Sequence, residues 1–283
     1  MTGYQVLRTG AAWLDLSPRG KIRVTGEDRA RLLHAMTTNH IQQLTPGTGC
    51  YAFFLNDKGR ILADVNILCR TDHFLLDSEP ETREKIYQHL DRYIIADDVT
   101  LEDITDQTAT IAVEGPKSEE LLQAIGVPAL AEEFANAEWG DRLVARLNTT
   151  GSVGFFIIAP ATDKGAIIAQ LEAAGAEAAD SEAAQVVRIE HGKARFGEDI
   201  SERFLAQEAN QPQALHFNKG CYLGQEIVER VRSRGQIHRV LKPLLLDTQD
   251  PPAPGTKLPE GEITSAAYSP ALGKVVALAY VRV

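Results

Sequence analysis

The residues with the clearest chemical promise lie in one short run, Lys219-Gly220-Cys221-Tyr222-Leu223-Gly224-Gln225-Glu226. Gly220 and Gly224 allow backbone conformations closed to other residues, so the run reads as a tight loop leading into a helix that starts near Gly224. Cys221 is then expected close to a helix N-terminus and two residues from the Lys219 ammonium, and both favour a thiolate. That setting suits a reactive or ligand-contacting thiol. A small buried thiol beside a solvated lysine fits the same letters. A second site of interest is NDKGRILADVNIL, Asn56 to Leu68. Its Asn-Asp-Lys-Gly turn joins two apolar runs, Tyr51 to Leu55 and Arg60 to Leu68, as a hairpin able to present Asp57 or Asp64 from a rigid sheet.

Other chemistry is argued against by what the chain lacks. Its three cysteines, at 50, 69 and 221, are odd in number, widely spaced and without a CxxC, and its seven histidines form no HExxH. A disulfide framework or a metal site is therefore not expected, and iron-sulfur chemistry would belong to a partner. The formal net charge of −10 opposes general nucleic-acid binding. Between Arg230 and Lys242, however, five basic residues (Arg230, Arg232, Arg234, Arg239 and Lys242) occur with no acidic one. That segment suits either an anionic ligand or an ordinary solvated surface. The first twenty residues carry no signal-peptide pattern, and no apolar run approaches the ~20 residues a membrane helix needs. A cytoplasmic location without membrane contact is expected.

The elements that must hold these residues show an internal repeat. Lys21 to Met36 (KIRVTGEDRARLLHAM) matches Thr110 to Ile125 (TIAVEGPKSEELLQAI) at a spacing of 89 residues. Each copy reads as an alternating strand, a glycine turn and a helix with an apolar stripe. A further strand and helix follow in each copy, His73 to Asp77 into Glu79 to Ile95, and Gly154 to Ala159 into Thr162 to Ala174. The pattern predicts an α+β protein: two related layers of helices on antiparallel sheets. A helix over Ser181 to Lys193, an irregular stretch over Gly197 to Asn218, and short β-runs at Val240 to Leu246, Ile263 to Ala267 and Val275 to Val281 complete it. The last three are expected to form a small barrel or sandwich. The expected division is 1–109, 110–236 with the loop, and 237–283.

The run KGCYLGQE resembles the signature of the YgfZ family of folate-binding proteins, relatives of the glycine-cleavage T-protein. RIEHGKARFGEDI (Arg188 to Ile200) and EGEITSAAYSPALGKVVALAYV (Glu260 to Val281) are similar to segments of the wider superfamily, so the resemblance runs from about Leu14 to Val281. It implies a T-protein-like fold and a bound tetrahydrofolate or one-carbon derivative. Glu190 would accept hydrogen bonds from the amino group and ring N–H of the pterin. Lys219, Cys221, Tyr222, Gln225 and Glu226 would complete the binding site, and Arg230, Arg232 or Arg234 would meet the anionic tail. Asp64 lies near the T-protein's catalytic aspartate, in a stretch that usually reads Asp-Asp and here has Ala63 first. With Cys221 and Lys219 it is the catalytic candidate, by orienting N10 or stabilising a developing cation.

Three functions follow from these readings. One is an accessory protein that supports iron-sulfur enzymes, including those that insert sulfur into tRNA, with iron-sulfur client or assembly proteins as partners. Another is a folate-dependent aminomethyltransferase. The third is a non-catalytic module that holds RNA or protein through the Arg230 to Lys242 segment.

Overall fold

A computed structural model describes residues 2–235 and 237–283; the side chain of Arg234 lies outside the described residues. In chain order the elements are α1 (Gly3–Thr9), β1 (Ala12–Asp15), β2 (Gly20–Thr25), α2 (Arg29–Met36), β3 (Gly49–Leu55), β4 (Ile61–Cys69), β5 (Phe74–Ser78), α3 (Arg83–Asp91), β6 (Thr100–Asp103), β7 (Thr108–Glu114), α4 (Ser118–Ala124), β8 (Asn136–Trp139), β9 (Arg142–Ala145), β10 (Gly154–Pro160), α5 (Lys164–Ala173), β11 (Glu177–Ala178), α6 (Ser181–Glu190), α7 (Gln225–Arg234), β12 (Arg239–Leu246), β13 (Gly261–Ser269) and β14 (Lys274–Arg282). No described helix is long and apolar enough to cross a membrane.

Both copies of the repeat fold as strand, turn and helix: β2 into α2, and β7 into α4. The turns need glycine for the same reason. Gly26 and Gly115 have φ of 100° and 122°, in the region that L side chains avoid. A Cβ at Gly26 would lie 2.0 Å from the Asp98 carbonyl oxygen, and one at Gly115 would lie 2.6 Å from that of Gly10. The second pair of elements also recurs, β5 into α3 and β10 into α5.

Two compact units interleave along the chain. The first comprises Met1–Pro18, Asp106–Ala194 and Leu241–Val281. Its main sheet runs β11-β1-β7-β10-β9-β8, antiparallel throughout except for the parallel pair β1 and β11. One face of that sheet buries Ile111, Val113, Phe155 and Ile157 against Leu122, Ile167 and Leu171 of α4 and α5. The C-terminal β-runs form a three-stranded sheet, β12-β14-β13, rather than a closed barrel among the described residues. Helix α6 packs on α1 and β13. It stops at Glu190, three residues short of the expected end, because Gly192 turns left-handed with φ of 69°.

The second unit comprises Arg19–Thr105, Arg195–Val240 and Arg282–Val283. Its five strands run β3-β4-β5-β2-β6, all antiparallel. Because side chains alternate along a strand, the register sorts this sheet into two unlike faces. One is apolar: Val24, Ala52, Phe54, Ala63, Val65, Ile67 and Leu76 pack with Leu33 and Met36 of α2 and with Ile86 and Leu90 of α3. The other, polar face sets half-buried Tyr51 and Asn66 and several buried charged groups beside the apolar Phe53, Leu68 and Leu75. Across it Tyr51 lies opposite Asn66, Asn66 opposite Asp77, and Asp77 opposite Lys21. Asp77 and Lys21 are fully buried, and Asp64 is 9% exposed.

Candidate functional site

The run from Lys219 to Glu226 belongs to the second unit, and its first task there is to finish helix α2. The last carbonyls of a helix have no partner within it and need donors from elsewhere. Here Leu33 O accepts from the Thr37 N–H at 3.0 Å and from its hydroxyl at 2.7 Å. Ala35 O accepts from the Leu223 N–H at 3.0 Å. The Lys219 ammonium donates to both His34 O and Thr37 O. A cation at the negative end of the helix dipole adds to this bond. Burial lowers the Lys219 pKa to about 7, with a small opposing effect from Cys50; the two carbonyls also act in favour of the charged form. Lys219 is thus committed to the protein's own backbone, a role the sequence did not reveal.

The loop is fixed from its other side by two glycines. Gly224, the residue before α7, has φ of 84°, and a Cβ there would lie 2.7 Å from Asn56 O in the β3–β4 turn. In that turn Gly59, with φ of 67°, leaves no room for a Cβ beside Ile227 of α7, at 2.8 Å. Gly220 has no such need: it does not adopt positive φ, and a Cβ there would stand 3.8 Å from His34 Nε2. Of the two glycines singled out in the sequence, only Gly224 uses its freedom.

Around this loop lies a cavity of about 430 Å³ lined by His216, Phe217, Lys219, Tyr222, Gln225, Glu226 and Glu229. Its size is within the usual range for small-ligand sites. Tyr222 and Phe217 supply aromatic walls, each with a cation nearby: Lys219 Nζ lies 4.6 Å from the Tyr222 ring centre, and the Arg232 guanidinium 4.6 Å from that of Phe217. Gln225 Oε1 accepts from the Tyr222 N–H at 3.1 Å and holds the loop against α7. Cys221 is exposed, four residues ahead of the first residue of α7. Burial, with a contribution from Glu229, pushes the Tyr222 hydroxyl up to about 12, so it remains a donor across the neutral range.

The basic residues after the loop are largely spoken for. Arg230 pairs with Glu226 at 2.7 Å, Arg232 with Glu229 at 3.5 Å, and Arg239 with Glu208 at 3.0 Å. Read from the sequence as a basic stretch, this segment is balanced in space by acids from its own helix and from residue 208.

Asp64 stands on the polar face of the five-stranded sheet, where the Tyr51 hydroxyl donates to its Oδ2 at 2.7 Å. Burial pushes the carboxyl up to about 6, the charge of Glu79 adds to this, and the Tyr51 hydrogen bond opposes it. A carboxyl that titrates there can accept and return a proton near neutrality. Ala63, on the same strand, points into the apolar core. The alternation of the strand therefore puts the departure from the Asp-Asp pattern on the opposite face from Asp64. Asp57 lies in the exposed turn between β3 and β4.

Glu190 belongs to the first unit, at the end of α6. The Tyr4 hydroxyl donates to its Oε1 at 2.6 Å, and the Ser269 hydroxyl donates to the same oxygen. Its Oε2 lies 3.1 Å from Arg8 Nη1, an ion pair without hydrogen-bond geometry. The side chain is 2% exposed. Glu190 thus ties α1, α6 and the β13–β14 turn together, with Tyr4 and Ser269 as partners that sequence spacing gave no means of finding. No group of His, Cys, Asp and Glu arranged to hold a metal occurs among the described residues.

The model of the GCVT N-terminal domain family matches residues 2–219. The chain belongs to this family. It is similar to the aminomethyltransferase of Rubrobacter xylanophilus, with 30% identity across 98% of this chain and 78% of the relative. It is similar also to that of Methylococcus capsulatus, with 30% identity across 98% and 80%. Among solved structures it resembles the glycine cleavage system aminomethyltransferase T of Bartonella henselae, with a TM-score of 0.89 and 21% identity over 99% of this chain and 80% of that one. The fold is that of the glycine-cleavage T-protein, α+β with antiparallel sheets and a small C-terminal sheet.

Proposed function

We propose that this chain binds a reduced folate and acts on it in the manner of a T-protein-type aminomethyltransferase, with Asp64 as the group that handles the proton. The observation that carries the reading is the buried Asp64 carboxyl, bonded to Tyr51 and titrating near 6, in a chain similar to aminomethyltransferases along almost its whole length. In such a transfer the methylene carbon of a thiol-bound aminomethyl group passes to the folate nitrogens, ammonia leaves, and the sulfur regains a proton. The folate amine must lose a proton as it forms its bond, and Asp64 can take it. Ala63 no longer weighs against this activity, because it belongs to the core side of its strand.

A second reading is favoured by the exposed Cys221 within KGCYLGQE, the run that resembles the YgfZ signature. There the chain binds tetrahydrofolate as an accessory to iron-sulfur enzymes, including those that modify tRNA, and Cys221 serves that role with Lys219 holding its loop. In either reading the loop residues Tyr222, Gln225 and Glu226, which line the cavity of the second unit, are the folate-facing wall.

The test is calorimetric titration with tetrahydrofolate and 5-formyltetrahydrofolate on wild type and on Asp64→Asn, Glu190→Ala and Cys221→Ala, combined with an aminomethyl-transfer assay. Binding retained with transfer lost in Asp64→Asn supports the first reading. Transfer absent from wild type, with iron-sulfur enzyme activity in cells lost in Cys221→Ala, supports the second. A wild-type protein that binds neither folate overturns both.

A further inference from the structure

The polar face of the five-stranded sheet holds a second carboxylate beside Asp64, that of Glu79. Strands β4 and β5 pair antiparallel from Cys69 with Phe74 to Asn66 with Asp77. Carrying that register two residues further places Glu79 opposite Asp64. Glu79 supports the extension: it follows directly on β5 and keeps an extended backbone, with φ of −61° and ψ of 144°. The β2 ladder, Lys21 with Asp77 and Gly20 with Ser78, likewise places Arg19 opposite Glu79. One row across the sheet therefore reads Asp64, Glu79, Arg19, next to the row Asn66, Asp77, Lys21.

Like charges opposite each other on a sheet repel, so this arrangement needs compensation. It is supplied on one side only. Glu79 is ion-paired with Arg19 and, at 2.9 Å, with Arg195. Arg19 in turn lies 2.7 Å from Asp77, and Arg195 reaches Glu81 and Glu198. Among the described residues Asp64 has no cation bonded to it; its partner is the neutral hydroxyl of Tyr51. Of two carboxyls with such unequal surroundings, the one without a cation partner, Asp64, is the more easily protonated.

We propose that Glu79 is a positioning residue for Asp64: fixed opposite it by Arg19 and Arg195, its charge makes Asp64 the member of the pair that takes up a proton first. The groups facing Asp64 are Tyr51 on β3, Glu79 after β5 and Arg19 before β2, with Asp77, Lys21 and Arg195 beyond them. The effect of Glu79 adds to that of burial and is opposed by the Tyr51 bond and by Arg19. The inference deepens the proposed role of Asp64 in proton transfer and rests on that reading for its functional meaning.

The test is a titration of the Asp64 side-chain carboxyl carbon by NMR in wild type, Glu79→Gln and Glu79→Asp, with circular dichroism to show that each is folded. The wild-type midpoint is expected near 6; Glu79→Gln moves it down toward the ordinary aspartate value of 3.8. Glu79→Asp keeps the charge and keeps the midpoint raised. Equal midpoints in the three proteins, or in the Gln and Asp variants alone, overturn the inference. The proposed function is judged separately by transfer in Asp64→Asn: normal turnover there sinks the proton-transfer role of Asp64 whatever the midpoints show.

Discussion

Tyr4 and Glu190, 186 positions apart, meet through a 2.6 Å hydrogen bond that fastens the N-terminal helix to the end of α6. Glu190 is therefore a clamp before it is anything else. Burial raises the Tyr4 pKa, and its bond to Glu190 adds to this, so the phenol remains the donor throughout the neutral range. Removing an ionised acceptor that serves several donors costs about 2–3 kcal/mol. Glu190→Ala is expected to lose about that much in urea denaturation and to make α1 more susceptible to limited proteolysis, while Glu190→Gln, which keeps an acceptor, recovers part of it. An alanine variant as stable as wild type would remove the clamp and leave ligand contact as the residue's main role.

Lys219 makes a parallel case in the second unit. Its ammonium caps the end of α2, next to the bond from the Leu223 N–H to Ala35 O. Lys219→Met leaves two carbonyls unsatisfied, at a cost of about 1–3 kcal/mol. Amide hydrogen exchange at Leu223 is expected to accelerate as the loop comes away from the helix. Slow exchange at Leu223 with unchanged stability would show that the cap does not need the lysine.

Much of the architecture was legible because it rests on local signals. The repeat could be read from its glycine turns and apolar stripes, the hairpin from Asn56 to Gly59, and the start of α7 from Gly224. What could not be read depends on partners far away in sequence. In ILADVNILC, Asp64 and Asn66 look like polar interruptions of a core strand, and only their alignment with Tyr51, Asp77 and Lys21 shows a polar face. The capping role of Lys219 needs carbonyls 182 and 185 positions away. The balance of the basic segment required knowing that Glu208 reaches Arg239.

The repeat itself predicts a matched pair of variants. Gly26→Ala and Gly115→Ala each place a Cβ against a backbone carbonyl that cannot swing aside, at 2.0 and 2.6 Å. Both are expected to fall at the severe end of single substitutions, above about 4 kcal/mol, or to fail to fold. Gly126 is the control. It also has positive φ, 84°, but nothing lies within 4 Å of a Cβ there, so Gly126→Ala should cost only the conformational strain of about 1–2 kcal/mol. Similar thermal shifts for all three would mean that φ alone, and not close approach, makes these turns need glycine.

Asp64 should also leave a signature in stability, independent of any ligand. Its folded value of about 6 lies above the ordinary 3.8, so the folded protein binds the proton more tightly than the unfolded chain. The contribution to stability is then fully present below pH 3.8 and is lost as the pH rises through 6. Above that, the buried charged carboxylate costs up to about 3 kcal/mol relative to its protonated form, on the scale set by the gap between the two values. Asp64→Asn removes the charge but keeps an acceptor for the Tyr51 hydroxyl. The variant is therefore expected to be more stable than wild type at pH 7.5, by about 1–3 kcal/mol, with the difference shrinking through pH 6 and vanishing near pH 4. Urea denaturation of both proteins across this range measures it directly. A constant difference at every pH would mean that the carboxyl titrates as an ordinary exposed aspartate, and the proton-handling role would lose its physical basis. A stabilised variant that lacks a transfer activity found in wild type would instead show that the buried carboxyl is kept for function at the expense of stability.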